Sequence, residues 1–167
     1  MITIISGTNR QDNNTRKVAD AYQQMLEKKY QLSASILALD EEDMAIRTEK
    51  FVQLEQELLV KAEKFIIIMP EYNGSYPGIL KLMIDQSDVK RAWWHKKVLL
   101  VGVSTGRAGN LRGMEHLTGV LLHLKMLVHP NRLPLSVVDK LMDAEGNFTD
   151  AATISAIETQ LSEFITF

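Results

Sequence analysis

Residues 64–85, KFIIIMPEYNGSYPGILKLMID, decide how the rest of the chain reads. The apolar run 65–69 stops at Pro70, gives way to a polar turn, and resumes as a helical pattern from Pro77. An apolar run this short, rich in isoleucine and bounded by proline and glycine, predicts a strand buried on both faces. Pro77 and Gly78 suit the first turn of a helix, where the missing proline N–H leaves no bond unmade. The loop between them, Glu71-Tyr72-Asn73-Gly74-Ser75-Tyr76, combines a carboxylate, an aromatic plate, an amide and a glycine free to take positive φ. Such a loop can lie flat against a ligand and offer it backbone groups. Taken alone, it reads equally as a tight strand-to-helix connection carrying a surface tyrosine.

Size and composition set the frame. A chain of 167 residues predicts a single domain, 1–167, that buries its core without disulfides or metal. The absence of cysteine excludes disulfides, thiolate nucleophiles and thiolate metal sites together. A formal charge of −2 argues against broad nucleic-acid binding, which needs a basic face. The start, MITIISGT, has no basic n-region, and no stretch approaches the roughly 20 apolar residues of a membrane span. The expectation is a soluble, cytoplasmic protein with no membrane or nucleic-acid partner.

Working outward, residues 2–6 form a first strand that breaks into the long polar loop Gly7-Thr8-Asn9-Arg10-Gln11-Asp12-Asn13-Asn14-Thr15. From Arg16 the apolar residues Val18, Ala19, Tyr22, Met25 and Leu26 mark an amphipathic helix, with Asn14 or Thr15 as its cap. Residues 32–39 predict a second strand, 48–61 a helix, 97–103 a fourth strand, 111–124 a helix and 126–129 a brief fifth strand ended by Pro130. Ile154, Ile157, Leu161, Phe164 and Ile165 stripe a last helix. Strands and helices alternate five times, which predicts an α/β doubly wound five-stranded parallel sheet with helices on both faces.

In such a sheet the ligand crevice lies beyond the C-terminal strand ends, where strand order reverses. With the order 2-1-3-4-5, the loops after strands one, three and four converge. Neither GxGxxG nor GxxxxGK[ST] occurs, so no Rossmann pyrophosphate site or P-loop is indicated. The first loop instead brings hydroxyls, amides and Arg10 to a helix N-terminus, a setting for a phosphate monoester. Gly106 and Gly109 in the third loop allow a flat group to approach the backbone. A phosphate end and a planar end together describe flavin mononucleotide.

GTNRQDNNTRKVA, PEYNGSYPGILKLMID and GVSTGRAGNLRGMEHL resemble, in order and spacing, the signature segments of the NAD(P)H-dependent FMN reductases. That flavodoxin-like group includes chromate and quinone reductases, and the resemblance covers almost the whole chain. By position it implies that Thr8, Arg10, Asn13, Asn14 and Thr15 hold the FMN phosphate. It assigns Pro70, Glu71, Tyr72, Asn73 and Gly74 to the flavin ring, and Ser104, Thr105 and Gly106 to the third loop. It further implies NADPH or NADH as co-substrate, hydride transfer by the cofactor without a catalytic side chain, and a small acceptor: a quinone, azo compound, metal oxyanion or flavin. The same resemblance implies a homodimer or homotetramer, and one site serving donor and acceptor in turn implies ping-pong kinetics. The family commonly has serine at Asn13, asparagine at Leu82 and tryptophan at Gln86, which bears on FMN affinity and on subunit packing. The alternatives are a flavodoxin-like electron carrier that does not oxidise NAD(P)H, or a binder of another phosphorylated ligand.

Other chemistry is thinner. His116 and His123 share a predicted helix but fall far short of a zinc site. Ser75 and Ser104 lack the GxSxG elbow. Glu71 reads as a hydrogen-bonded or solvated carboxylate rather than a base. The acidic run at residues 40–43 reads as a solvated turn, Lys96 and Lys97 as a solvated strand entrance, and the Trp93-Trp94 pair as an exposed loop facing a second subunit.

Overall fold

The computed structural model describes residues Met1–Phe167. Its strands are β1 (Ile2–Ser6), β2 (Ala34–Ala38), β3 (Lys64–Pro70), β4 (Lys97–Val103), β5 (Leu127–Val128) and β6 (Leu133–Leu135). They form one sheet in the order β2-β1-β3-β4-β5, with β6 also on β4, and every pairing is parallel. Ser6 lies opposite Ile68, and Pro70 opposite Val103, so the loops after β1, β3 and β4 leave the same edge of the sheet.

β3 explains why the sheet is covered twice. Phe65, Ile67 and Met69 point into one core with Phe51, Leu80, Trp93 and Leu117, while Ile66 and Ile68 point into a second with Val18, Tyr22, Leu161 and Phe164. The first core is roofed by α2 (Glu49–Leu54), α3 (Gly78–Gln86), α4 (Val89–Ala92) and α5 (Leu111–His123), the second by α1 (Asn14–Tyr30) and α6 (Ala151–Thr166). α2 runs into a π-helical turn, Glu55–Val60. Alternate residues serving opposite cores is what a continuous apolar run means in a parallel strand.

Three expectations change. The fifth strand is two short pieces: Leu127 and Val128 pair with Lys97 and Val98, and Leu133–Leu135 pair with Val101, Gly102 and Val103. Pro130, with no N–H to donate, lies in the gap, and Pro134 is tolerated because this row is the sheet's edge. The cap of α1 is Asn13, one residue earlier than read, its side chain accepting from the Arg16 N–H at 2.7 Å. Trp93 is not an exposed subunit contact: it is 0% exposed, its ring centroid is 5.0 Å from that of Phe65, and its Nε1 donates to Ser87 Oγ. The short α4 turns Trp93 inward and leaves only Trp94 half-buried, beside the Lys125 ammonium.

Candidate FMN site

The convergence expected of the three loops is present. A cleft of about 510 Å³ is lined by residues 10–15, by Pro70, Glu71 and Tyr72, and by residues 103–108 with Val138. Ten of the thirteen residues assigned from the sequence line it: Arg10, Asn13, Asn14, Thr15, Pro70, Glu71, Tyr72, Ser104, Thr105 and Gly106. Thr8 lies behind the wall, its Oγ1 2.5 Å from Tyr72 Oη, and Asn73 and Gly74 form the tip of the second loop.

The first loop makes a cup of donors. The peptide N–H groups of residues 11–15 have no intramolecular partner, and they wrap the N-terminus of α1. An array of free N–H groups at the positive end of a 17-residue helix has the donors and the field that suit a phosphate. Asn13 serves the cup differently from a family serine: its Nδ2 donates to Arg10 O at 2.6 Å and to Asp40 Oδ2 at 3.0 Å while its Oδ1 caps α1. Its amide is therefore occupied by the protein, and the cup offers peptide groups instead. Arg10 carries no salt bridge; its guanidinium covers the Tyr72 ring, 3.9 Å from the centroid. The acidic run also has a task, since Gln11 Nε2 donates to Asp40 O at 2.7 Å and Arg16 pairs with Glu41 at 2.8 Å.

The second loop is a two-residue turn. Tyr72 and Ser75 exchange backbone hydrogen bonds of 2.9 and 3.1 Å, and Asn73 and Gly74 take φ of 52° and 78°. Two successive positive φ values are what asparagine-glycine accommodates in a type I′ turn. α5 steadies this tip through Ser75 Oγ, 2.9 Å from His116 Nδ1, and through Arg112, whose Nη1 lies 2.8 Å from where a Cβ on Gly74 would stand.

The third loop exposes another row of donors. The N–H groups of residues 105–108 have no intramolecular partner, while the loop's frame is fixed by Ser104 Oγ to Gly106 O and Gly109 N, and by Val137 N to Gly106 O. Its base is closed by Asn110, fully buried at φ 58°, which accepts from Gly113 N and donates to Met69 O and Pro70 O. One side chain thus caps α5 and ties the third loop to the root of the second. Sequence reading passed over Asn110, although an asparagine directly before an apolar-periodic helix is a cap signal. It also passed over Gln11, Asp12, Val103, Arg107, Ala108 and Val138, the last brought in from beyond β6 where no local pattern marks it.

The donor set fits FMN at both ends: free N–H groups at a helix start for a phosphate, and a second row beside Tyr72 for the polar edge of a planar ring. A family model described as NADPH-dependent FMN reductase matches residues 1–138. The chain belongs to this family. As an NADPH-dependent FMN reductase family member it is a flavoprotein oxidoreductase that uses FMN, with NAD(P)H as co-substrate. It is 23% identical to a 2-hydroxy-1,4-benzoquinone reductase of Burkholderia sp, over 98% of this chain and 93% of that one. It is 32% identical to the NAD(P)H-dependent FMN reductase PA1204 of Pseudomonas aeruginosa, over 64% of this chain and 59% of that one. Among solved structures, the flavoenzyme NAD(P)H:(acceptor) oxidoreductase FerB of Paracoccus denitrificans superposes with a TM-score of 0.78 at 22% identity, covering 99% of this chain and 94% of that one. A flavodoxin from the domain Archaea gives 0.63 at 13%, covering 97% and 95%. These two likenesses establish the flavodoxin-like fold.

Proposed function

We propose that this family member is a single FMN-binding domain that moves reducing equivalents from NAD(P)H to a quinone or azo acceptor. The observation that carries the reading is the pair of free N–H rows, residues 11–15 and 105–108, facing one cleft at the switch point of the sheet. In this reading the first row, with Thr15 behind it, holds the phosphate. Tyr72 forms one wall for the ring, with the turn at Asn73 and Gly74 beyond it at the loop's tip, and Thr105 and Gly106 hold its polar edge. Bound FMN supplies the redox chemistry, accepting a hydride and passing electrons on.

The protein's own part is positional. Peptide donors aimed at the ring's electron-rich edge stabilise charge that grows on reduction, and they need no reorganisation at that moment. No side chain is required as acid or base. Glu71 lines the cleft, and its peptide N–H, bonded to Val103 O, adds no free donor to the two rows. Relatives named as a quinone reductase of Escherichia coli and an NADPH azoreductase of Bacillus sp. support the acceptor class.

We further propose a homo-oligomer in the cytoplasm, where NAD(P)H is abundant. In support, Leu82, Leu111 and Leu122 on α3 and α5 are 45%, 55% and 59% exposed, apolar side chains available to a second copy of the chain. No helix is long and apolar enough to cross a membrane. Sedimentation of the purified protein checks the assembly, with a species above 18.9 kDa expected.

The test of function is the visible spectrum. Protein reconstituted with FMN is expected to show the flavin bands and to lose them when NADPH or NADH is added without oxygen, then regain them with a quinone. A protein that takes up no FMN contradicts the cofactor assignment. Bands that persist with both nucleotides make it an electron carrier instead.

A further inference from the structure

A carboxylate beside an anion-binding cup has the wrong sign for the ligand, yet Asp40 sits against this one. We infer that Asp40 is a positioning residue that holds the phosphate cup in shape, so that the chain selects phosphorylated flavin through a side chain that never touches it. The inference rests on the reading of the cleft as an FMN site.

Asp40 follows β2 in a turn that is itself anchored: Leu39 N donates to Ser6 O at the end of β1, and Glu41 N and Glu42 N both donate to Ala38 O. From that fixed base Asp40 grips the cup twice. Its carbonyl accepts from Gln11 Nε2 at 2.7 Å, and its Oδ2 accepts from Asn13 Nδ2 at 3.0 Å. Asn13 passes the constraint on, because the same side chain accepts from Arg16 N and donates to Arg10 O. Both grips fall on the run of free donors at residues 11–15, and without the carboxylate Asn13 keeps only its bonds to Arg10 O and Arg16 N. The remaining carboxylate oxygen, Oδ1, is buried without a partner. That arrangement costs free energy, which the bond from Asn13 to the other oxygen offsets in part. Serine at position 13 would be too short to span to Asp40 and to cap α1 at once, so the asparagine and the aspartate form one device.

The test compares FMN with riboflavin, which lacks the phosphate, in wild type, Asp40→Ala and Asp40→Asn. Dissociation constants are read by quenching of flavin fluorescence, and backbone 15N order parameters of residues 11–15 are measured without flavin. Asp40→Ala is expected to weaken FMN about tenfold, 1.4 kcal/mol, with riboflavin unchanged within twofold. Its order parameters should fall from about 0.85 towards 0.6. Asp40→Asn keeps an acceptor for Asn13 and is expected to stay within threefold of wild type.

Tighter FMN binding in both variants would mean that the carboxylate acts only as a repelling charge, and the inference would be wrong. Equal losses of FMN and riboflavin, or unchanged order parameters in Asp40→Ala, overturn it as well. If wild type binds no FMN the cofactor reading fails, and the order parameters still decide whether Asp40 shapes the loop.

Discussion

Asn110 carries more of the site than any residue that lines it. Asn110→Ala removes a cap worth about 1 kcal/mol and the amide that ties Met69 O and Pro70 O to α5, so a loss of about 2 kcal/mol is expected in denaturant unfolding. Asn110→Asp keeps the acceptor for Gly113 but turns a carboxylate towards the Met69 and Pro70 carbonyls, and should be comparably destabilised. A wild-type midpoint in the aspartate variant would reduce Asn110 to a cap. Gly102 is as strict, because a Cβ there would stand 2.0 Å from Gly109 O. That position was legible, since a lone glycine inside a buried strand signals close backbone approach. The αL conformation of Asn110 was not, because nothing local dictates which residue meets the end of a strand 40 residues away. The residue scale also sets a pH profile. Burial lowers the Lys96 ammonium from 10.5 to about 8, so between those values the unfolded chain binds the extra proton and stability rises with pH. Burial raises the Tyr22 phenol well above 10.0, so beyond that pH the unfolded chain loses a proton first and stability falls. In thermal melts the wild type should therefore gain stability relative to Lys96→Met as pH rises from about 8 to 10.5, and a difference that does not change with pH would contradict it.

The element that departs most from its sequence pattern is the helix before β3, which begins as α2 behind a Thr48 cap and ends as a π-helical turn. Glu55 opens that turn with a side chain 0% exposed, held by both Nη atoms of Arg47 at 3.1 and 2.7 Å and by the Asp88 N–H. Arg47 also donates to Gln86 O, so this pair binds the long loop after β2 to the end of α3, the helix that the second cleft loop feeds. Arg47→Ala would leave Glu55 without its counter-charge, and a cost of about 3 kcal/mol is expected in urea unfolding. A shift under 1 kcal/mol would show that solvent replaces the arginine. The acidic run and Arg47 lie in a stretch of no periodicity, which is why the sequence presented the run as solvated and gave Arg47 no role. The split of the edge strand into β5 and β6 has the same origin, because only the ladder of β4 reveals that Leu133–Leu135 resume the row.

Across the whole molecule, the two-sided sheet and its strand order were legible because they rest on apolar runs and right-handed crossovers, which local sequence encodes. Where the cleft opens followed from topology alone. What fills its walls did not, since the order of free and bonded N–H groups depends on how three separate loops brace one another. One cleft that serves donor and acceptor in turn predicts parallel double-reciprocal lines when NAD(P)H and a quinone are varied together. Intersecting lines would require both to bind at once. In the proposed function this cleft holds FMN by its two rows of peptide donors. It is tested most directly by titrating 15N-labelled protein with FMN and following the backbone amides. Residues 11–15 and 105–108 are expected to shift together with one dissociation constant, while riboflavin moves the second row but not the first. Shifts confined to other surfaces, or no shift in residues 11–15, would contradict it.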